Sequence, residues 1–433
     1  MSKDDSAASD GSNPELDALR RAHDPYLVFR NADYRRFLMA GMASTVGGQM
    51  QGVAVGWELY ERTRSATALG LVGLAQVLPV ILLAIPAGHA ADKYNRRYQV
   101  MVASVLMAVA AAGLAAFSAF EGPVWAAYGW LALTGVGQAV SMPARWAILP
   151  QIVPREQVSS AVTWNSSNWQ VGSVAGPALG GMVIAVTRGA TWAYVGNAAC
   201  AVLAAAFMAG VNTRPLARSV ETVSVGSLLA GIRFVFRTEL ILATITLDLF
   251  AVLLGGATAL LPIYSRDILG VGPTGLGWLR AAPSLGAFCM AFTLAHRRPL
   301  QRAGPALLWA VAGFGGATIV FGLSTNAYLS FVMLAITGAL DNISVVVRST
   351  LVQMLTPDAM RGRVSAVNAI FIGSSNELGE FESGIAARFF GAVGAVVGGG
   401  VGTIAVVLLV AMIWPGVMKL GLLHEAGMEG ETG

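Results

Sequence analysis

The stretch RWAILPQIVPREQVSSAVTWNSSNWQVGSVAGPALGG, from Arg145 to Gly181, decides how the rest of the sequence is interpreted. It has the pattern of a helix end, a short loop punctuated by proline, and a long glycine-rich helix. Its key residues return 203 positions later in the chain. The matching pairs are Leu133-Thr134-Gly135 with Ile336-Thr337-Gly338, Arg145 with Arg348, Pro154 with Pro357, Ala161 with Val364, Asn165 with Asn368, Gly176 with Gly379, and Gly181 with Gly384. A constant offset that keeps Arg, Pro, Asn and Gly in register indicates two related halves.

Composition places these halves in a membrane. Hydrophobic residues make up 55% of the 433 residues and charged residues only 12%, whereas a soluble domain carries roughly twice that charged fraction. The mean hydropathy of +0.64 agrees. A soluble multidomain enzyme is therefore excluded, and two parallel halves in so apolar a chain indicate a transporter built from a duplicated helix bundle.

Charge, cysteine and histidine content narrow the class further. The net charge of +4 comes from short basic clusters between apolar runs, which are topology signals rather than a nucleic-acid surface. Cys200 and Cys289 both lie in apolar runs, so neither a disulfide framework nor a thiolate metal site is expected. The four histidines are too scattered for a ligand cluster.

Hydropathy and breakers predict an all-α polytopic membrane protein with twelve transmembrane helices in two pseudo-symmetric six-helix bundles. The predicted spans are 37–58, 67–89, 98–119, 124–146, 157–186, 190–212, 240–264, 273–295, 304–324, 327–348, 362–386 and 392–418. The predicted domains are a disordered cytoplasmic tail (1–33), an N-terminal six-helix bundle (34–212), a cytoplasmic linker (213–238), a C-terminal six-helix bundle (239–419) and a cytoplasmic tail (420–433). The N-terminal tail lacks the apolar run of a signal peptide, and residues 224–236 of the linker predict an amphipathic helix on the membrane surface.

Lysine and arginine set the orientation. With both termini in the cytoplasm, 22 of the 28 basic residues fall in the tails, linker and inner loops, five fall outside, and Arg280 lies within a span. This bias predicts that both termini are cytoplasmic.

The loop after the second predicted span reads GHAADKYNRR, from Gly88 to Arg97. It resembles the cytoplasmic loop motif G-x-L-A-D-R-x-G-R-K of the major facilitator superfamily. Gly88, Ala91, Asp92 and Arg96 match, while Ala90, Lys93, Asn95 and Arg97 differ from the motif. The resemblance implies that Gly88, Asp92, Arg96 and Arg97 form a latch on the cytoplasmic side, and the alternative is an ordinary positive-inside loop. The second-half loop His296-Arg297-Arg298 lacks the aspartate, so the latch would be one-sided.

In the fifth predicted span, Gly172, Gly176 and Gly180 recur every four residues, beside Pro177 and Gly181. Such a stripe allows a close helix crossing, and the proline bends the helix. The pattern G-x-x-x-G-P-x-x-G-G resembles the antiporter motif of the same superfamily, in whose exporters this helix lies between the halves. The alternative is generic small-residue packing, which says nothing about direction.

Polar residues at membrane depth are functional candidates because burying them is costly. Asn165 and Asn168 extend the glycine stripe and either line a substrate path or tie helices together. In the family the first, fourth, seventh and tenth spans line a central cavity. The resemblance therefore implies that Asp248, Asp341 and Arg348 lie near it, opposite Thr45, Gln49 and Gln138.

Asp248 is the first candidate for proton coupling. It lies about 12 Å along the seventh predicted span, and desolvation makes a buried carboxylate able to exchange a proton as the cavity changes sides. The alternative is a structural ion pair or a helix cap. Asp341, seven residues before Arg348 on the same helix face, fits that alternative better than Asp248 does.

A second acidic group lies in the eleventh predicted span. Glu377, Glu380 and Glu382 would repel one another if all were buried, so we expect them to face an aqueous vestibule on the outer side. Glu377 and Glu380 are further proton candidates. Arg280 is their expected partner, and Glu58, at the outer end of the first span, is expected to join Arg280 and Glu382 in an outer gate.

The resemblance extends from about Tyr34 to Trp414 and is closest to the transmembrane secretion-effector branch, which includes the enterobactin exporter. It rests further on Asp33-Tyr34-Arg35-Arg36-Phe37, Trp57-Glu58-Leu59-Tyr60, Leu261-Pro262-Ile263-Tyr264, Pro357-Asp358-Ala359-Met360-Arg361-Gly362-Arg363 and Asn376-Glu377-Leu378-Gly379-Glu380. It implies a monomeric, non-enzymatic, multi-pass protein of a bacterial inner membrane.

The implied activity is proton-driven export of small amphipathic molecules, such as siderophores, hydrophobic drugs or metabolites, by alternating access. The expected partners are that small-molecule substrate and the lipid bilayer, with no nucleic acid. No cofactor is expected besides the proton gradient, and ATP is not expected because no phosphate-binding loop occurs in the sequence. A lipid or lysophospholipid translocator of the same fold, and a membrane sensor that does not transport, remain alternatives.

Overall fold

The computed structural model describes residues 26–213, 225–296 and 302–419, which form helices and no strand. The long helices are α1 (Ala32–Thr63), α2 (Ala66–Lys93), α3 (Arg96–Ala119), α4 (Val124–Ile152), α5 (Val158–Thr187), α6 (Thr191–Ala209), α7 (Val225–Arg237), α8 (Glu239–Leu254), α9 (Gly272–Ala295), α10 (Ala303–Leu323), α11 (Ala327–Leu355) and α12 (Asp358–Ile413). α7 is the helix predicted within the linker. Most of the predicted N-terminal tail, the first part of the linker, the loop after His296 and the predicted C-terminal tail lie outside the described residues.

Polar side chains cap the N-termini of several helices. The Asn31 side chain accepts hydrogen bonds from the Asp33 and Tyr34 backbone amides at the start of α1. Ser65 caps α2 and Asn326 caps α11 in the same way. Each of these caps satisfies amides that would otherwise lack a partner in the first turn.

Two breaks depart from the predicted spans. The seventh predicted span, 240–264, is not one helix: α8 ends at Leu254, and the chain continues after Gly255-Gly256 as a 3₁₀ turn (Ala257–Leu260) and a π-helical turn (Tyr264–Ile268). Adjacent glycines weaken a helix because of their backbone freedom. The eleventh and twelfth predicted spans form α12, whose two arms meet at Gly391, where φ is 74°.

Eight helical stretches of the described residues are long and apolar enough to cross a membrane by length and composition alone. One of them, Ser375–Ile413, includes parts of both arms of α12. The protein is therefore a polytopic helical membrane protein, and the count of twelve spans stays a prediction.

The helices form two bundles with matching neighbours. In the first, α1 packs on α5 and α6, α2 packs on α4, and α3 packs on α4 and α6. In the second, α9 packs on α11, α10 packs on α11 and α12, and α12 packs on α8. Two helix pairs make the main contacts between the bundles, α2 with α12 and α5 with α9.

The buried apolar side chains show where the bundles join. One cluster contains residues of both bundles at the predicted outer end, among them Leu59, Leu114 and Leu276. At the predicted inner end each bundle has its own cluster, which includes Ile148 in the first bundle and Leu307 in the second. The apolar core is thus continuous across the molecule at one end and divided at the other.

Candidate functional site

Glycines bring the bundles together at the predicted outer end. A methyl group placed on Gly70 of α2 would lie 3.0 Å from the Gly384 Cα of α12. A methyl group on Gly181 of α5 would lie 3.0 Å from the Gly277 Cα of α9. Both crossings therefore depend on residues without side chains, because any larger residue would push the helices apart.

Ion pairs cover the same end of the interface. Arg64 lies 3.2 Å from the Asp267 carboxylate, which also accepts a hydrogen bond from the Tyr60 hydroxyl. Arg266 lies 2.9 Å from Glu61. Glu61 lies in α1 and Arg64 directly follows it. Their partners, Arg266 and Asp267, both lie in the π-helical turn of the other bundle. The basic-residue bias placed Arg64 and Arg266 outside, but the sequence gave no signal that they pair with carboxylates of the opposite bundle.

The predicted inner end is open by comparison. A methyl group placed on Gly88, near the inner end of α2, would meet no atom within 4 Å. Neither α4 nor α11 makes an extended contact with the opposite bundle. The apolar clusters of the two bundles are also separate at this end, which the arginine and lysine bias assigns to the cytoplasm. We call the separation between α4 and α11 at this end the gap.

The predicted latch lies beside this gap. Arg96 donates hydrogen bonds to the carbonyl oxygens of Ala91, at 3.1 Å, and Ala147, at 3.3 Å. Arg97 donates to the carbonyl oxygen of Ala209. These contacts join α2, α3, α4 and α6 within the first bundle. The Asp92 side chain and the loop after His296 lie outside the described residues, so the one-sided latch stays a prediction.

The glycine stripe of α5 has two faces. A methyl group on Gly176 would lie 2.6 Å from the Gln49 Cβ, and methyl groups on Gly172 and Gly180 would approach Thr45 and Met50 of the same helix, α1. On the other face, a methyl group on Gly277 of α9 would collide with the Pro177 carbonyl oxygen. α5 thus lies between the bundles, as predicted, with its motif residues packed on both.

Asp248 of α8 forms an ion pair with Arg348 of α11, and both side chains are buried. This corrects the expected pairing of Arg348 with Asp341. Asp341 and Arg348 share a helix face, but seven residues separate them by about 10 Å along the axis. The neighbouring helix supplies the nearer carboxylate.

Asp341 has no hydrogen-bond or ion-pair partner among the described residues. It lines a space of about 10 Å³ that also touches Asp248 and Ser344, which is room for about one water molecule. On its other side lies a cavity of about 160 Å³ within the second bundle, reached by Asn376 and Glu380. Asp341 therefore lies between the Asp248–Arg348 pair and a polar cavity.

Arg280 of α9 lies 3.9 Å from Glu380 of α12, the partner expected from the sequence. The placement differs from the expected outer vestibule, however. Glu377 and Glu380 precede Gly384 on α12, so both lie on the inner side of the Gly70–Gly384 crossing and are half-buried. A methyl group on Gly73 of α2 would lie 3.1 Å from the Glu380 Cβ. The two acids therefore lie at the contact between α2 and α12, a relation that the sequence of α12 alone does not show.

Glu58 does not join this group. Its carboxylate pairs with Arg62 at 2.6 Å, one turn further along α1. The Glu382 carboxylate accepts a hydrogen bond from Ser383 at 3.5 Å. Among the described contacts, Glu58, Arg280 and Glu382 each have other partners, so the outer gate that they were predicted to form stays a prediction. The pairs from Glu61 and Asp267 join the bundles at that end.

Some of the residues predicted to line the central cavity are buried in helix contacts, and others are exposed. Thr45 is buried against Gly172, and the buried Asn168 donates to the Leu38 carbonyl oxygen at 3.2 Å, so it ties α5 to α1. Gln49 and Asn165 are half-buried, and Gln138 is exposed on α4. Gln138 is therefore the most exposed member of this set.

The structure also contains a buried network of amide side chains that the sequence did not predict. Asn197 of α6 donates to the Gln51 side-chain oxygen at 2.6 Å, and the Gln51 amide donates to the Thr134 hydroxyl at 3.5 Å. All three side chains are buried. The network satisfies polar groups that would be costly to leave unpaired in a membrane, and it fixes α1, α4 and α6 together.

Comparisons with known proteins agree with this architecture. A family model described as transmembrane secretion effector matches residues 23–420. The chain is 27% identical over 353 residues to the multidrug efflux pump Tap of Mycolicibacterium fortuitum, covering 79% of this chain and 86% of that protein. It is also 27% identical over 335 residues to the enterobactin exporter EntS of Escherichia coli O1:K1 / APEC, covering 77% and 80%.

Solved transporter structures share the fold. A bacterial homolog of the human lysosomal transporter Spinster, in an inward-facing and unoccupied conformation, matches with a TM-score of 0.68 at 15% identity, covering 92% of this chain and 98% of that one. The nucleoside transporter NupG matches with a TM-score of 0.66 at 10% identity, covering 90% and 99%. At these identities the likeness concerns the fold alone.

Proposed function

The chain belongs to the transmembrane secretion-effector family of major facilitator transporters, and from this premise we propose that it exports small amphipathic molecules in exchange for protons. The observation that supports this proposal most strongly is the arrangement of charged side chains in the second bundle. Asp341 has no partner among the described residues, and it lies between the Asp248–Arg348 pair and the cavity that Glu380 reaches.

An unpaired carboxylate at membrane depth is costly while it is ionised. Protonation of Asp341 removes that cost, so its proton occupancy depends on which side of the membrane its cavity reaches. Asp248 is constrained by Arg348 and would leave that arginine buried without a partner if it became neutral. We therefore assign the coupling proton to Asp341 first, and to Asp248 only in a state that separates the pair.

The contacts between the bundles support alternating access. The described conformation is joined at the predicted outer end by two glycine crossings and two ion pairs, and it is open at the other end. Opening to the outside would separate these contacts and close the gap between α4 and α11. In the proposed cycle, a proton enters the second bundle from outside and leaves to the cytoplasm as cargo moves outward.

The relatives support export and an amphipathic cargo. Their names are those of a multidrug efflux pump and an enterobactin exporter. One face of α4 carries the exposed amide of Gln138 and, one turn further, the exposed Met142. A surface that alternates polar and apolar groups is suited to molecules with both characters.

The test is coupled transport in liposomes that contain the purified protein. A panel of siderophores, hydrophobic drugs and lysolipids is first screened with the unchanged protein for uptake driven by an imposed pH gradient. With the cargo found, Asp341→Asn is expected to keep gradient-free exchange and to lose accumulation against a gradient.

The matched control is Asp33→Asn. It removes a carboxylate in the first turn of α1, where Asp33 pairs with Arg36 within the first bundle. This variant is expected to accumulate cargo normally. Accumulation by the Asp341 variant equal to that of the unchanged protein would contradict the assignment. Lysolipid movement without any proton requirement would favour a lipid translocator, and cargo binding without movement would favour a sensor.

A further inference from the structure

The cavity of about 160 Å³ that Asp341 lines is enclosed by the second bundle alone, since every residue of its lining belongs to that bundle. Its polar side chains are those of three threonines, two acids and one amide: Thr258, Thr318, Thr337, Asp341, Glu380 and Asn376. No lysine, arginine or histidine is among the described residues that line it. Oxygen atoms therefore dominate the polar part of this surface.

Asp341 is the acid of this lining that lacks a positive partner. Glu380, the other acid, lies 3.9 Å from Arg280, and Asp248 on the far side of Asp341 is paired with Arg348. No hydrogen bond or ion pair engages Asp341 among the described residues. An ionised carboxylate without a partner is costly at membrane depth, and a single monovalent cation would balance its charge.

Two threonine hydroxyls leave only their oxygen lone pairs for a ligand. Thr318 donates its hydroxyl hydrogen to the Phe314 carbonyl oxygen at 2.9 Å, and Thr337 donates to the Leu334 carbonyl oxygen at 2.7 Å. A hydroxyl has one hydrogen and two lone pairs, so each of these oxygens can still coordinate or accept but can no longer donate. They therefore suit a cation and not an anion, which would need donors.

The interruption of α8 adds backbone oxygens at the same cavity. Gly255 donates to the Ala251 carbonyl oxygen at 2.8 Å, and Ala257 donates to the Gly255 carbonyl oxygen at 2.6 Å. The described chain shows no backbone hydrogen bond to the carbonyls of residues 252–254, the last three of α8. A helix C-terminus carries partial negative charge, and interrupted helices of this kind bind small cations in other transporter folds.

The volume of the cavity limits the size of the ligand. At about 30 Å³ for each water molecule, 160 Å³ holds about five waters. A sodium ion with a few waters, or an alkylammonium ion of similar size, would fill it. Drug-sized molecules occupy about 300–1,000 Å³, so a whole drug does not fit. The side chains of Phe314 and Phe321, which also line the cavity, suit a cation through their ring faces.

We propose that this cavity binds a small monovalent cation, held by the Asp341 carboxylate, the Thr318 and Thr337 hydroxyl oxygens and the backbone at the end of α8. A metal ion and an alkylammonium ion share this chemistry, and the experiment distinguishes them. The cation and the coupling proton would neutralise the same carboxylate. The physiological meaning of this inference therefore rests on the proposed transport function, whereas binding is measured without transport.

The experiment is equilibrium dialysis of the purified full-length protein in detergent against radiolabelled sodium or radiolabelled butylammonium. N-methylglucamine chloride keeps the ionic strength constant, so that screening of surface charges does not change. Saturable binding of at least one probe is expected. Asp341→Asn removes the charge and keeps the size of the side chain, and it is expected to weaken binding by at least about tenfold.

Thr318→Val provides a second test, because it removes one coordinating oxygen with little change of shape. It is expected to weaken binding about tenfold, and it keeps the inference testable if Asp341→Asn does not fold. The matched control is Thr403→Val. Thr403 is buried and donates to the Gly399 carbonyl oxygen at 2.9 Å, as Thr318 does to Phe314, but it does not line the cavity. This control is expected to bind the cation as the unchanged protein does.

The outcomes separate the two kinds of cation and the two proposals. Binding of sodium alone would identify a metal ion, binding of butylammonium alone an organic ammonium ion, and binding of both a site selective for charge. No saturable binding of either probe, unchanged affinity in Asp341→Asn, or equal losses in Thr318→Val and Thr403→Val would overturn the inference. Cation binding without cargo-dependent proton movement in liposomes would sustain this site and contradict proton coupling. Proton movement without cation binding would do the opposite.

Discussion

Removing the charges that join the bundles at the predicted outer end should shift the protein toward the outward-open state. Glu61→Gln with Asp267→Asn would weaken the contacts from Arg266, Arg64 and the Tyr60 hydroxyl. The glycine crossings beneath them would remain. The change therefore acts on the balance between the two states without altering the helix packing of either bundle.

The size of the shift follows from the exposure of these groups. Arg64 and Asp267 are 53% and 39% exposed, and Glu61 is 50% exposed. Exposed ion pairs contribute about 0.2–1 kcal/mol each, so both together stabilise the closed outer end by about 0.4–2 kcal/mol. That amount corresponds to a change of about 2–30-fold in the ratio of closed to open molecules.

The assay measures the distance across the outer end by electron spin resonance. Cysteines for spin labels would replace Phe120 and Tyr328, which are 84% and 87% exposed and lie in different bundles. Cys200 and Cys289 would first be replaced so that no other site is labelled. The double variant should increase the fraction of molecules with a long distance between the labels.

Asp33→Asn is the matched control, since Asp33 pairs with Arg36 inside the first bundle at 3.4 Å. It should leave the distance distribution as it is in the unchanged protein. If Glu61→Gln/Asp267→Asn also leaves the distribution unchanged, these ion pairs do not stabilise the closed outer end and the reasoning is refuted.

Three further predictions concern stability and packing. Asp248→Asn should lower the unfolding free energy in detergent by about 3–5 kcal/mol because Arg348 would be buried without its partner, and the double variant Asp248→Asn/Arg348→Gln should be more stable than the single one in thermal unfolding; a double variant that unfolds earlier would contradict this. Asn197→Leu should cost about 1–3 kcal/mol by leaving Gln51 unsatisfied, measured by the same melting curve, and an unchanged melting temperature would count against the network. Gly277→Leu should separate α5 from α9 and abolish transport in liposomes with little loss of folded protein, whereas normal transport would show that the crossing is not needed.

The sequence predicted the parts of the fold that repeat or that follow hydropathy. The offset between Arg145 and Arg348 indicated the duplication, and the glycine stripe that includes Gly176 indicated a helix packed closely on both sides. These features depend on residues near in sequence or related by one constant offset. The structure bears out the helical bundles and the position of α5 between them.

The sequence did not predict which charged side chains meet. Spacing along α11 put Asp341 and Arg348 on one face, but the partner of Arg348 comes from α8, through a crossing that no periodicity reports. The same limit applies to Glu380, whose relation to the outer end depends on where α2 crosses α12. The break after Leu254 was hidden because the apolar run continues through Gly255-Gly256.

The most direct test of the central claim is proton movement by the unchanged protein. The purified protein is placed in liposomes with a pH-sensitive dye inside, and siderophores, hydrophobic drugs and lysolipids are added one at a time. Proton exchange predicts that one class of cargo changes the internal pH, because protons move in the direction opposite to the cargo. Movement of a radiolabelled cargo with no change of internal pH would contradict proton exchange as the driving force.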